Sequence, residues 1–219
     1  MKKLFISAVC MVVFAGCTAE KTAPVAVDLG LSVKWATFNV GASAPEDFGD
    51  WYAWAETRTK SKYSWKKYAY SHLDDAYSSG YSCSYDGVPR YIGGIDSLDA
   101  ATRHWGGSWR MPTPEEFQEL IDDCEWTFTN DYESNGVKGC IGTSRKPGFT
   151  DRSIFLPTAD RIEGKGKLKT DCGRYWSDTK NSDHEAFYLK FDSDEGTVAL
   201  RPLLRPANPA RLRGSGCCS

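Results

Sequence analysis

The sequence predicts an α+β domain of small antiparallel sheets joined by long loops, and three observations predict it. Short apolar runs alternate at period two near the start and the end of the chain. One segment, 113–124, carries helical spacing behind its own start signal. Trp and Tyr are frequent, 8 and 11 in 219 residues, alongside 20 Gly. These residue types suit a core made of irregular segments, in which a ring is buried while its N–H or O–H finds a partner.

The elements follow in order. Lys2 and Lys3 precede an apolar run from Leu4 to Phe14 that only Ser7 interrupts, and Ala15-Gly16-Cys17 follows. This is the layout of a signal peptide, residues 1–16. The run is shorter than the roughly 20 residues that a spanning helix needs. Cys17 directly after Ala-Gly resembles a lipobox, so Cys17 is expected to carry the lipid, with residues 17–25 as the tether. The implied localisation is the cell envelope, lipid-anchored in the outer membrane. Ala26–Ala36 reads as a strand pair, with Leu29, Leu31, Val33 and Trp35 at period two. Pro45-Glu46-Asp47 offers a short helical turn, and Trp51–Trp54 an aromatic strand.

Residues 57–100 are polar and tyrosine-rich with little periodicity, which predicts long surface loops. Loops inside a compact domain often carry function. Thr113-Pro114-Glu115-Glu116 starts the clearest helix: Thr113 can cap, Pro114 fits the first position and Glu116 completes a capping box. Phe117, Leu120, Ile121 and Cys124 then fall at i, i+3, i+4 and i+7, one buried face of a two- to three-turn helix. Ser153–Pro157 and Arg174–Ser177 read as short strands. Phe187, Leu189 and Phe191 alternate with Tyr188, Lys190 and Asp192. After a turn at Asp194-Glu195-Gly196, Val198 and Leu200 alternate with polar neighbours. This predicts a β-hairpin with one apolar and one polar face.

These motifs together resemble the Fibrobacter succinogenes major paralogous domain. The residues are Ala26–Ala36, Asn39-Val40-Gly41, Gly49-Asp-Trp-Tyr-Ala-Trp-Ala-Glu-Thr57, Asp99-Ala-Ala-Thr102, Trp105-Gly-Gly-Ser-Trp-Arg-Met-Pro-Thr113, Glu116-Phe117, Ser153–Pro157 and Tyr175-Trp176-Ser177. They stand in the family's order and cover about residues 26–201 of a domain taken as 26–205. The resemblance implies a C-type-lectin-like fold: small antiparallel sheets with two short helices and long loops. It implies lipoproteins and surface proteins of Bacteroidetes-like bacteria. Some relatives with this fold are variable proteins of diversity-generating retroelements, whose C-terminal strand residues face a ligand; the matching segment here is about Tyr175 to Arg201. The family closes with a strand close to Gly-x-Ser-Val-Arg-Pro-Val. This chain instead continues from Arg201 through Pro202, Pro206 and Pro209 without alternation. No strand is therefore predicted after about residue 201, residues 206–219 read as an irregular tail, and an exposed sheet edge is expected.

Composition and spacing weigh against other classes. A net charge of -2 with no basic tract before the last residues does not suggest nucleic acid. His72, His104 and His184 sit in no catalytic motif. Glu115-Glu116 is explained by the helix N-terminus, and Asp122-Asp123 by the helix's polar side, which leaves little for glycosidase chemistry. Asp192-Ser-Asp-Glu-Gly196 clusters hard oxygen ligands but lacks EF-hand spacing and reads as a solvated turn. No C-x-x-C pair occurs. After Cys10 and Cys17, six cysteines remain, and export permits disulfides in any of 15 pairings. No catalytic residue, metal or cofactor is predicted.

The expected function is ligand binding outside the cell, to a protein or a glycan, with the membrane met through the lipid anchor. The expected contact residues are Trp176, Asp178, Lys180, Asp183, His184, Tyr188, Lys190 and Asp192, mixing aromatic anchors with both signs of charge. The competing readings are a structural envelope protein without a specific ligand, and a hydrolase.

Overall fold

The computed structural model describes residues 23–76, 80–158, 162–163, 167–168, 172–192, 196–202, 212–213 and 217–218. The signal segment and Cys17 lie outside the described residues, as do positions 193–195 of the last hairpin. What is described is a mixed α+β architecture with two α-helices and several small, mainly antiparallel sheets.

The chain opens with β1 (Ala26–Val27) and β2 (Lys34–Ala36), an antiparallel pair as expected, with Ala26 opposite Ala36. A turn at 45–46 replaces the expected helical turn; the Asp47 carboxylate closes it by accepting from the Ser43 and Ala44 N–H groups, each at 3.0 Å. Then come β3 (Trp51–Tyr52) and a hairpin of β4 (Ser71–Leu73) and β5 (Tyr81–Cys83). Helix α1 (Ala100–Trp105) precedes β6 (Trp109–Arg110). Helix α2 (Pro114–Asp123) has the anticipated capping box: Thr113 Oγ1 accepts from the Glu116 N–H at 3.2 Å, and the Glu116 carboxylate accepts from the Thr113 N–H at 2.8 Å. Arg110 clamps that carboxylate with both terminal nitrogens, one at 2.9 Å.

A three-stranded antiparallel sheet follows, made of β7 (Cys124–Thr129), β8 (Gly139–Ser144) and β9 (Ser153–Pro157). After a small hairpin of β10 (Ile162–Glu163) and β11 (Lys167–Leu168), the main sheet is built by β12 (Cys172–Ser182), β13 (Glu185–Asp192) and β14 (Thr197–Pro202). Strand β12 is longer than the expected Arg174–Ser177. Gly173 on it has no room for a side chain: a Cβ there would lie 2.1 Å from the Phe191 ring.

The tail corrects the expectation for the C-terminus. Residues β15 (Leu212–Arg213) and β16 (Cys217–Cys218) are strands. The order of the main sheet is β14-β13-β12-β15-β3, and that of the first sheet is β1-β2-β16-β6. Each tail strand thus fills an interior position. The expected open edge at that place is not there.

The main sheet is covered on both faces, which overturns the predicted polar face of the last hairpin. Trp176 stands opposite Tyr188 and Tyr175 opposite Leu189, so the two pairs point to opposite sides. Tyr175, Leu189 and Phe191 belong to a core with Phe117 and Leu120 of α2, Trp35, and Ile154 and Leu156 of β9. Trp176, Tyr188 and Ala186 belong to a second core with Tyr52, Trp54, Trp65, Tyr68 and Tyr85.

The second core also corrects the reading of 57–100 as surface loops. Trp65, Tyr68, Cys83, Tyr85, Val88 and Ile92 are buried. The aromatic groups settle their polar tips on backbone: the Trp54 indole donates to the Ser177 carbonyl at 3.0 Å, and the Tyr68 hydroxyl donates to the Trp54 carbonyl at 3.0 Å. Trp54 and Tyr85 pack with ring centroids 4.6 Å apart. A tyrosine-rich segment without periodicity becomes core because burying rings offsets the missing regular backbone.

No disulfide joins Cys83, Cys124, Cys140 and Cys172 to one another. All four are buried; across β7 and β8, Cys124 faces Ser144 and Cys140 faces Phe128. Burial pushes the Cys124 thiol up to about 11, with help from Asp123, and the Cys140 thiol up to about 12. They act as small apolar side chains rather than nucleophiles. With Cys10, Cys17, Cys217 and Cys218 changed to serine, the folded protein is expected to leave a chromogenic thiol reagent unreacted near pH 8. All four thiols are expected to titrate after unfolding in urea. Fast reaction of any of them in the folded state would contradict this burial.

Candidate functional site

The eight residues expected to face a ligand divide among three places. Trp176, Tyr188 and Asp178 are buried, at 4 %, 7 % and 4 % exposure. The Trp176 indole donates to the Tyr52 carbonyl at 3.2 Å. Tyr188 meets Trp176 edge-on, and the Arg174 guanidinium lies over its ring at 5.9 Å. These are packing roles.

Lys180, Asp183 and His184 form the end of the β12–β13 hairpin and dock it on the loop after β5. Lys180 Nζ donates to the Tyr85 carbonyl at 3.0 Å and pairs with Asp183 at 2.8 Å. That hydrogen bond and charge hold the Asp183 carboxyl below the ordinary range. His184 Nδ1 lies 2.6 Å from the Cys83 carbonyl oxygen. Lys190 and Asp192 pair with each other at 3.0 Å on the far half of the strand.

Asp178 is instead the post of a different feature. Its carboxylate accepts from the Thr179 hydroxyl at 2.6 Å. Its N–H donates to the Pro112 carbonyl and its carbonyl accepts from the Ile92 N–H, both at 2.9 Å. Loop 90–93 is thereby stitched to β12, with Tyr91 bridging Thr179 and the Lys180 N–H donating to the Arg90 carbonyl at 3.0 Å. Gly93 lets the loop come this close, since a Cβ there would lie 2.5 Å from Asp178 Oδ2. Asp99, fully buried, holds the other end of the loop, the start of α1 and the residue after β6: its carboxylate accepts from the N–H groups of Gly94 and Thr102 at 3.0 Å and of Met111 at 2.9 Å.

Burial pushes the Asp178 carboxyl up to about 6, against the opposing Thr179 hydrogen bond and Arg110 charge. The sign follows. Between the ordinary 3.8 and about 6, the folded protein keeps a proton that the unfolded chain has released. Asp178 therefore favours folding most below about pH 4, and its contribution falls as pH rises through 6, by roughly 3 kcal/mol for a shift of this size. Asp178→Asn is expected to remove this slope. Its urea midpoint should exceed the wild type's at pH 7 and approach it near pH 4. A wild-type advantage at pH 7 would mean that the charged carboxylate is the stabilising form.

The fixed loop forms one wall of an open groove of about 290 Å³. Arg90 and Tyr91 stand on this wall. Tyr91 is 54 % exposed, unlike the other tyrosines of its segment that enter the core, and the Arg90 guanidinium lies over its ring at 5.7 Å. The first turns of α2 form the opposite wall with Pro114, Glu115 and Gln118. Thr179, Phe187 and Leu200, from β12, β13 and β14, form the floor. An exposed ring beside a cation, a carboxylate and an apolar floor supports non-covalent recognition.

Sequence reasoning missed this groove. Glu115 carried only its helix-start role, and Tyr91 was one tyrosine among many. The one usable signal was that residues 57–100 are long enough to carry function. Among the described residues, no helix is long and apolar enough to cross a membrane. No family model, no curated protein and no solved structure matches the chain.

Proposed function

We propose that the chain is an exported, lipid-anchored cell-envelope protein whose domain is C-type-lectin-like and binds an extracellular protein or glycan without catalysing a reaction. The order of the motifs from Ala26 to Arg201 supports the family and the lipid anchor at Cys17. The observation that carries the binding reading is the half-exposed Tyr91 on the rim of a groove whose walls are fixed by buried hydrogen bonds. A rigid aromatic on a preorganised wall loses little entropy on binding.

The retroelement-diversified version fares less well on the residues first expected to vary. Substitution at Trp176 or Tyr188 would disturb a core rather than a surface. Diversification across isolates would have to fall on exposed positions such as Asp183, His184 or Arg201, and sequencing the gene's 3′ end tests that.

The binding test uses the detergent-solubilised full chain on protein and glycan arrays. Tyr91→Ala is expected to weaken capture of the ligands found by about ten-fold or more, as for loss of an aromatic anchor, with an unchanged melting temperature. A flat array response from the wild type would favour a structural envelope protein instead. Lipidation is read separately: a fatty-acid probe is expected to label the full chain and not Cys17→Ala.

A further inference from the structure

We propose that the Tyr91 groove takes a short extended peptide, with apolar side chains over its floor, an acidic group at Arg90 and a basic group at Glu115; this rests on the binding reading above.

The groove's length comes from the sheet. Its lining runs from Leu200 on β14 across β13 and β12 to Tyr91, which bridges Thr179. That crosses three strand spacings, roughly 14 Å at about 4.8 Å each. An extended chain advances about 3.3 Å per residue, so about four residues cover the span.

The lining's chemistry then selects the occupant. Phe187 and Leu200 are half-buried apolar side chains of the floor, and Pro114 adds apolar surface on the helix wall. Two neutral hydrogen-bonding side chains of the floor and helix wall are already engaged. The Thr179 hydroxyl donates to Asp178 at 2.6 Å, and the Gln118 amide donates to Asp122 at 2.9 Å. A hydroxyl-rich ring placed here would lose water and gain few partners, which is costly. The charged groups are different. Arg90 and Glu115 are exposed, stand on different walls, and have no ion-pair partner among the described residues. Opposite charges flanking an apolar floor match a peptide that carries an acid and a base around apolar residues, and they fix its direction.

The experiment offers the full chain in detergent immobilised, end-blocked hexapeptides. One set places two or three apolar residues between Asp and Lys, in both orders. A second set replaces the charges with Ser, and a glycan array is run in parallel. The charged set is expected to bind at least ten-fold tighter than the Ser set, with one order preferred. Glu115→Lys is expected to lose that preference and to regain binding when the peptide's Lys becomes Glu. Circular dichroism and melting temperature show that the variant is folded. Equal binding of charged and Ser peptides, failure of the charge swap, or binding of glycans alone would overturn the peptide assignment while leaving the binding reading intact. Capture of neither peptides nor glycans overturns this inference too, and if the protein array is also blank the binding reading falls with it.

Discussion

Asp99→Ala is expected to cost about 3–9 kcal/mol of folding stability, on the basis of 1–3 kcal/mol for each buried donor left unmet. The carboxylate is fully buried and accepts from three backbone N–H groups, those of Gly94, Thr102 and Met111. One of these bonds caps α1, one closes the loop that holds Tyr91, and one fixes the residue after β6. Alanine removes both acceptor oxygens, and with them all three bonds, at once. Domains of this size are commonly stable by only about 5–15 kcal/mol, so the variant should sit near its unfolding transition at room temperature. Urea denaturation followed by tryptophan fluorescence measures the loss. Asp99→Asn keeps one acceptor oxygen and should lose less. A loss below about 1 kcal/mol for Asp99→Ala would mean that the three N–H groups find other partners.

The importance of Asp99 illustrates what the sequence makes legible. Helix α2 is written locally: Thr113, Pro114, Glu116 and the spacing of Phe117 and Leu120 all lie within one short window, and the structure reproduces the capping box and the buried face. The hairpins β1–β2 and β13–β14 are equally local. Asp99 has the form of a helix cap, and that role can be read from its neighbours. Its bonds to Gly94 and Met111 cannot, because they depend on where two other segments arrive. The last hairpin shows the same limit. Alternation in 186–192 separates Leu189 and Phe191 from Tyr188 and Lys190 correctly, but alternation does not say what covers the second face. Trp54, Tyr68 and Tyr85 do, from more than 90 residues away. The groove was hidden for the same reason, since its lining comes from positions 90 to 200 and no segment supplies more than three of its residues.

Deleting residues 211–219 is expected to cause the other large loss, although nothing in their own pattern marks them as structural. Among the described residues, β15 is the strand that pairs β3 into the main sheet: Leu212 and Arg213 pair with Tyr52 and Trp51, while Arg213 also pairs with Tyr175 of β12. Strand β16 links β6 to β2 in the same way, with Cys217 between Trp35 and Arg110 and Cys218 between Lys34 and Trp109. Without the tail, β3 and β6 lose their sheets, and interior strands beside the buried Tyr52, Trp35 and Tyr175 become open edges. Unpaired edges expose backbone donors and acceptors and invite pairing between chains. The truncated protein is therefore expected to unfold at clearly lower urea, by several kcal/mol from the unmet backbone groups, to bind a hydrophobic dye and to elute as oligomers. Leu212→Pro makes a finer test, because proline removes the backbone donor within β15 without shortening the chain. If both variants keep the wild-type midpoint, the tail strands return no more than the entropy of ordering them, and the two sheets hold together through their aromatic cores alone. If the truncation fails and Leu212→Pro is mild, the weight falls on β16. The expected order of damage, with truncation worst and Leu212→Pro intermediate, follows from how many interior positions each change empties. It is pairing demanded by β2, β3, β6 and β12, rather than strand propensity in the tail, that makes these four residues part of the fold.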